Sequence, residues 1–148
     1  MQFFGIWRGF DPDARARRLF VVLELCRGGN LADAICGNKS GQTPLTQKFS
    51  WALQCADALA YLHSRSPPIV HRDLKPGNVL IMDDPNKTAK LADFGTSRTV
   101  KKSQQDLTVE IGTYAYMPPE CLSLNGNLAC DHMCVCVICV LFVFYVCA

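Results

Sequence analysis

The sequence has little charge imbalance: fifteen Lys and Arg stand against thirteen Asp and Glu, for a formal net charge of +2. That argues against the strongly basic surface on which sequence-independent nucleic-acid binding depends. The small basic patches, Arg15-Ala16-Arg17-Arg18 and Lys101-Lys102, read as solvated loop charge. No internal repeat and no low-complexity linker is present, which leaves out solenoids and strings of tethered modules. The first apolar residues are interrupted at Arg8 and no small-residue cleavage pattern follows, so no secretory signal is read. The nine cysteines are therefore expected to be reduced thiols of a cytoplasmic protein. Five of them, Cys130, Cys134, Cys136, Cys139 and Cys147, lie near His132, but among Val and Ile rather than in the polar turns that carry zinc knuckles. They read as small buried hydrophobes. A glycine-rich G-x-G-x-x-G run is also missing from all 148 residues.

What is present is the run His71-Arg72-Asp73-Leu74-Lys75-Pro76-Gly77-Asn78, followed fifteen residues after Asn78 by Asp93-Phe94-Gly95. Further on stands Gly112-Thr113-Tyr114-Ala115-Tyr116-Met117-Pro118-Pro119-Glu120. Taken singly, such Asp and Asn residues are ordinary turn formers. Their joint order and spacing resemble the protein kinases, of the serine/threonine type and most like the tyrosine-kinase-like group. The resemblance implies an α+β, protein-kinase-like fold, truncated to the end of the small lobe plus the first half of the mainly helical large lobe. Residues 1–25 would be the last small-lobe strands, 26–132 the hinge, catalytic loop and activation segment, and 133–148 an apolar C-terminal helix.

By that resemblance the activity is ATP-dependent phosphoryl transfer to protein serine or threonine hydroxyls, with ATP and Mg²⁺ as cofactors and a protein as substrate. Such transfer rests on positioning and on neutralising phosphate charge. Asp73 would accept the hydroxyl proton, Lys75 would lie along the transferring phosphate, and Asn78 and Asp93 would offer hard oxygens to Mg²⁺. Lys75-Pro76 is the serine/threonine-like element. Leu23 would guard the back of the adenine pocket, the backbone at Glu24 and Cys26 would bind the adenine edge, Asn30 would sit near the ribose, and Leu80 would form the floor. His71 is expected to orient the loop from behind, without acting as a base. Thr113 is expected to bond Asp73 and Lys75. Arg72 is expected to receive a phosphate placed on the activation segment, with Ser103 and Thr108 as candidate positions.

Local patterns fit that order. Leu19 to Leu23 reads as a strand ended by Arg27-Gly28-Gly29, and Gly9 to Arg18 as a polar loop before it. Phe49, Ala52, Leu53, Ala56, Leu59 and Ala60 recur at helical period between Thr46, a candidate N-cap, and His63. Ile69-Val70, Val79 to Met82 and Ala89 to Leu91 read as short strands around the catalytic loop, with a turn at Asp83 to Asn86.

The departures from the family pattern lie at the two ends. Met1 to Trp7 resembles the family's fourth strand, so a glycine-rich roof, a strand lysine and its glutamate partner are not found, and the chain alone is expected to transfer phosphate barely or not at all. A rival reading is a catalytically dead kinase-like module that binds or regulates. Another is a mispredicted gene fragment. Asp131 stands where a core helix would start, but Met133 to Ala148 is uncharged and almost wholly apolar. It reads as a truncated core helix, as a membrane-associated segment, or as translated non-coding sequence. As a span it would reach about 24 Å against a hydrocarbon core of roughly 30 Å.

Overall fold

In the computed structural model, residues 1–36, 43–99, 113 and 116 are described. Two strands, β1 (Phe3–Asp11) and β2 (Ala16–Leu23), form an antiparallel hairpin whose register runs from Phe3 opposite Leu23 to Asp11 opposite Ala16. Aromatic and β-branched residues suit this ladder, and the Trp7 and Phe20 rings meet across it with centroids 5.2 Å apart. The polar loop expected from Gly9 to Arg18 is shorter in the structure. The Asp11 carboxylate accepts the N–H groups of Asp13 and Ala14, and Arg18 pairs with it at 3.3 Å, so the ladder continues to the turn.

The chain then leaves β2 through a connecting segment into α1 (Leu31–Cys36). Asn30 caps that helix: its side-chain oxygen accepts the Asp33 N–H at 2.9 Å while its amide donates to the Asp33 carboxylate at 2.8 Å. Next come α2 (Leu45–His63), β3 (Ile69–Val70), a 3₁₀ turn at Pro76–Asn78, β4 (Val79–Ile81), β5 (Ala89–Leu91), a second 3₁₀ turn at Phe94–Thr96, and β6 (Arg98–Thr99). β4 pairs antiparallel with β5, and β3 with β6.

The core lies between the two helices and the β4–β5 hairpin. It is built from Leu31 and Ile35 of α1, Trp51, Ala52, Cys55 and Leu59 of α2, and Val79, Ile81, Ala89 and Leu91 of the strands. Strand period two then sends Leu80 and its register partner Lys90 to the other face. Along the free edge of β4 the Leu80 backbone pairs with that of Asn30 as an isolated antiparallel bridge. Burial pushes the Cys55 thiol up to about 11, which makes it an inert packing group.

Two expectations about α2 are corrected. Its cap is Pro44 with no side-chain bond, and Thr46 falls inside the first turn. Its buried stripe contains Ala52 and Leu59 as expected, but it is completed by Trp51 and Cys55, whereas Phe49 and Leu53 are 58% and 67% exposed. The reason is docking onto the strands: Trp51 donates its indole N–H to the Lys87 carbonyl at 2.5 Å, and Gln54 accepts the Ala89 N–H at 2.6 Å. These bonds turn the helix by about one residue's 100° from the most apolar face. Among the described residues no helix is long and apolar enough to cross a membrane, and residues 133–148 lie outside them.

Gly28 brings the connecting segment against β4. Its N–H donates to the Ile81 carbonyl at 2.9 Å, and the Ile81 N–H returns to Gly29, whose φ of +80° suits glycine. A Cβ at position 28 would stand 2.6 Å from the Ile81 carbonyl oxygen, a backbone atom that cannot rotate away. Gly28→Ala is therefore expected to destabilise the chain by about 1–3 kcal/mol, read as a lower urea midpoint with an unchanged slope.

Candidate active site

The loop between β3 and β4 is held from behind by the segment that follows β5. The carbonyl of His71 accepts the hydroxyls of Thr96 at 3.1 Å and Ser97 at 3.3 Å, and Arg72 Nε donates to the Thr96 carbonyl at 2.6 Å. His71 is buried, its Nε2 lies 2.9 Å from the Ala92 carbonyl, and its ring packs 4.9 Å from that of Phe94. A carbonyl can only accept, so Nε2 carries the proton. Nδ1 is then a bare acceptor with no partner among the described residues. Burial lowers the His71 pKa, outweighing the Ala92 hydrogen bond and the charges of Asp73 and Asp93, which raise it.

With the loop so anchored, Arg72 takes φ +65° and Asp93 φ +58°, left-handed conformations that cost an ordinary residue of order 1 kcal/mol. Aspartate tolerates this region better than arginine does. The Asp93 carboxylate accepts the Gly95 N–H at 3.3 Å and caps the second 3₁₀ turn.

Asp73 sits at the centre, with 8% of its surface exposed. Its Oδ1 accepts the Thr113 hydroxyl at 2.7 Å. Its Oδ2 accepts Lys75 Nζ at 2.8 Å and Asn78 Nδ2 at 2.9 Å. Lys75 also donates to Thr113 Oγ1 at 2.8 Å, and Asn78 Nδ2 to the Asp73 carbonyl at 2.8 Å. Burial pushes the Asp73 carboxyl up, but the hydrogen bonds from Lys75, Thr113 and Asn78, together with the Lys75 charge, hold it below its ordinary value.

Asn78 and Asp93 are neighbours through the backbone, since the Ala92 N–H donates to the Asn78 carbonyl at 2.8 Å. Because the Asn78 amide nitrogen is spent on Asp73, its side-chain oxygen is the atom left for a cation. Asp93 is exposed and uses Oδ1 on Gly95, so its other oxygen remains. Two hard oxygen donors on adjoining segments fit Mg²⁺, which completes its octahedron from water and phosphate.

The residues expected around an adenine base are arranged along the connecting segment. Leu23 ends β2, and the Leu80 backbone pairs with that of Asn30. Cys26 is partly buried, and its backbone makes no hydrogen bond among the described residues. The Asn30 side chain is engaged with Asp33. The Glu24 N–H donates to the Gln2 carbonyl at 3.0 Å, and its carboxylate pairs with Lys90 at 2.6 Å. The hydrogen bond from Lys90, then that from Gln2, hold the Glu24 carboxyl below its ordinary value. Lys90 was not singled out in the sequence, although a cation alternating with two apolar strand residues is a signal for a strand face turned to a polar partner. Ser103 and Thr108 lie outside the described residues, as do the Cys130–Cys147 cysteines.

Comparison with known proteins bears on the family of this chain. Residues 5–144 match the family model described as protein kinase domain. A mitogen-activated protein kinase kinase kinase 7-like protein of Drosophila melanogaster is 35% identical over 119 residues, 80% of this chain and 29% of that protein. A mitogen-activated protein kinase kinase kinase of the same species is 38% identical over 115 residues, 73% of this chain and 9% of that protein. A receptor-like serine/threonine-protein kinase of Arabidopsis thaliana is 39% identical over 102 residues, 68% of this chain and 15% of that protein. The chain thus spans less than a third of the length of these curated relatives.

The His71 arrangement sets a pH dependence. Its folded pKa is lowered below the unfolded value of about 6.5, so the unfolded chain binds the proton first. Stability is full above that value and is lost as pH falls below it toward the folded pKa. His63, also lowered by burial, contributes with the same sign. The melting temperature is expected to drop between pH 7 and pH 5, and the drop is expected to be shallower in His71→Gln, which cannot titrate.

Proposed function

Because the chain belongs to the protein kinase family, we propose that these residues bind ATP with Mg²⁺ and transfer its terminal phosphoryl group to serine or threonine hydroxyls of a protein. The convergence of Lys75, Asn78 and Thr113 on the Asp73 carboxylate carries this reading. A carboxylate has about four lone-pair sites. Oδ2 already accepts two donors and Oδ1 one, so Oδ1 keeps the site able to take the proton of an incoming hydroxyl. Lys75 spends two of its three donors on Asp73 and Thr113 and keeps a third for a phosphate oxygen. Asn78 and Asp93 would hold the Mg²⁺, which when bound neutralises phosphate charge. The depressed Asp73 pKa keeps the acceptor ionised throughout the neutral range.

Around the base, Leu23 would close the back of the pocket, the Glu24 and Cys26 backbone would meet the adenine edge, and Leu80 would lie beneath it, with Asn30 at the ribose side. The unspent Cys26 backbone supports that assignment. Serine/threonine preference rests on Lys75 and on the serine/threonine-protein kinase among the relatives. In the same reading the segments divide after residues 25 and 132, and the protein works in the cytoplasm. Arg72, whose pKa is lowered by burial and by the charge of Arg98, would gain from a phosphate on the following segment. Within these 148 residues no G-x-G-x-x-G stands to cover the phosphates. The isolated chain is therefore read as a weak nucleotide binder that transfers phosphate barely or not at all.

In the full-length protein, Asp73→Asn is expected to cut phosphorylation of a serine peptide by about 100-fold or more while leaving ATP binding within about threefold. Undiminished transfer in that variant would remove Asp73 as the proton acceptor, whereas no transfer by the wild-type protein would favour a binding or regulatory role.

A further inference from the structure

Lys90 interrupts the apolar strand β5. Ala89 and Leu91 on either side of it are buried in the core, and Lys90 turns to the opposite face beside Leu80. There its ammonium donates to Glu24 Oε2 at 2.6 Å, joining residues 66 positions apart in the chain. The pair is sheltered, with side chains 26% and 12% exposed. The other carboxylate oxygen of Glu24 accepts the Gln2 N–H. Glu24 is therefore a node that links Gln2, just before β1, the segment following β2, and β5.

The position of this node matters for what lies on either side. Among the described residues Leu25 and Cys26 make no backbone hydrogen bond. The next anchor is Gly28, held to Ile81 of β4. The segment is thus fixed at Glu24 to the strand that leads into Asp93, and at Gly28 to the strand that leaves Asn78. Between the two anchors lies the uncommitted backbone of Cys26.

We propose that the Glu24–Lys90 ion pair positions the backbone edge at Glu24 to Cys26 for the base of a nucleotide, in register with the phosphate-side residues Asn78 and Asp93. Lys90 is a positioning residue for nucleotide binding and touches no reacting atom. This role rests on the nucleotide reading above. Without the ammonium, the sheltered Glu24 carboxylate keeps its charge and loses its strongest partner, so the segment must move to hydrate it. A base-binding edge displaced by even about 1 Å no longer matches the ligand.

The test is titration of the full chain with a fluorescent ATP analogue, alongside amide hydrogen exchange, in wild type, Lys90→Met, Lys90→Arg and Glu24→Gln. Lys90→Met and Glu24→Gln are expected to weaken analogue binding about fivefold and to speed exchange of the Glu24 and Gly28 amides, which are hydrogen-bonded to Gln2 and Ile81, while leaving α2 unchanged. Lys90→Arg, which retains the pair, is expected to restore both. Unaltered affinity in Lys90→Met and Glu24→Gln would overturn this role while leaving the nucleotide reading intact. Weakened binding with faster exchange throughout α2 and no rescue by arginine would also overturn it, as a folding effect. No analogue binding by the wild type would overturn the nucleotide reading and this role together.

Discussion

The candidate site depends on one buried carboxylate and the donors that keep it charged. An ionised aspartate with 8% of its surface exposed would be costly if unpaired. Here Lys75, Thr113 and Asn78 offset that cost with charge-assisted hydrogen bonds of 2.7–2.9 Å. The three donors come from the same loop, from its 3₁₀ turn and from position 113, so forming the network brings these pieces to one point. Arg72 and Asp93 occupy left-handed conformations that only such a surround sustains.

Behind the carboxylate, the hydrogen bonds of His71 and Arg72 to residues 92–97 join the loop to the strand end that carries Asp93. In front, the connecting segment is tied to β4 by backbone bonds at Gly28 and Gly29 and to β5 by Lys90. The β4–β5 hairpin is therefore the common frame. Its inner face packs on α1 and α2, and its outer face and open end present Leu80 and the Asn78 and Asp93 pair assigned to nucleotide and metal. Rigidity of the core is in this way transmitted to the site.

Much of this frame was legible because its signals are local. The His71–Asn78 run, the spacing to Asp93 and the short apolar strands each occupy a few consecutive residues, and the elements appear where those runs predict them. Errors arose where a distant partner decides the outcome. Periodicity alone ranks Phe49 and Leu53 with the buried face of α2, but the bond that Trp51 donates to the Lys87 carbonyl and the one that Gln54 accepts from the Ala89 N–H select a different stripe. The turn after β1 was read too long because the Asp11 carboxylate substitutes for backbone partners inside it. Thr46 has the residue type of a cap, whereas Pro44 holds that position before Leu45. The Glu24–Lys90 pair spans 66 positions, a separation at which neither residue signals the other.

The ionisation state of Asp73 is the most direct test of this picture. It can be followed by carboxyl carbon NMR titration, with the resonance assigned by its loss in Asp73→Asn. The Lys75, Thr113 and Asn78 bonds require a titration midpoint below the ordinary aspartate value of about 3.9. A midpoint at or above that value would mean that burial outweighs the donors, and that the convergence on Asp73 does not hold the charge on which the site depends.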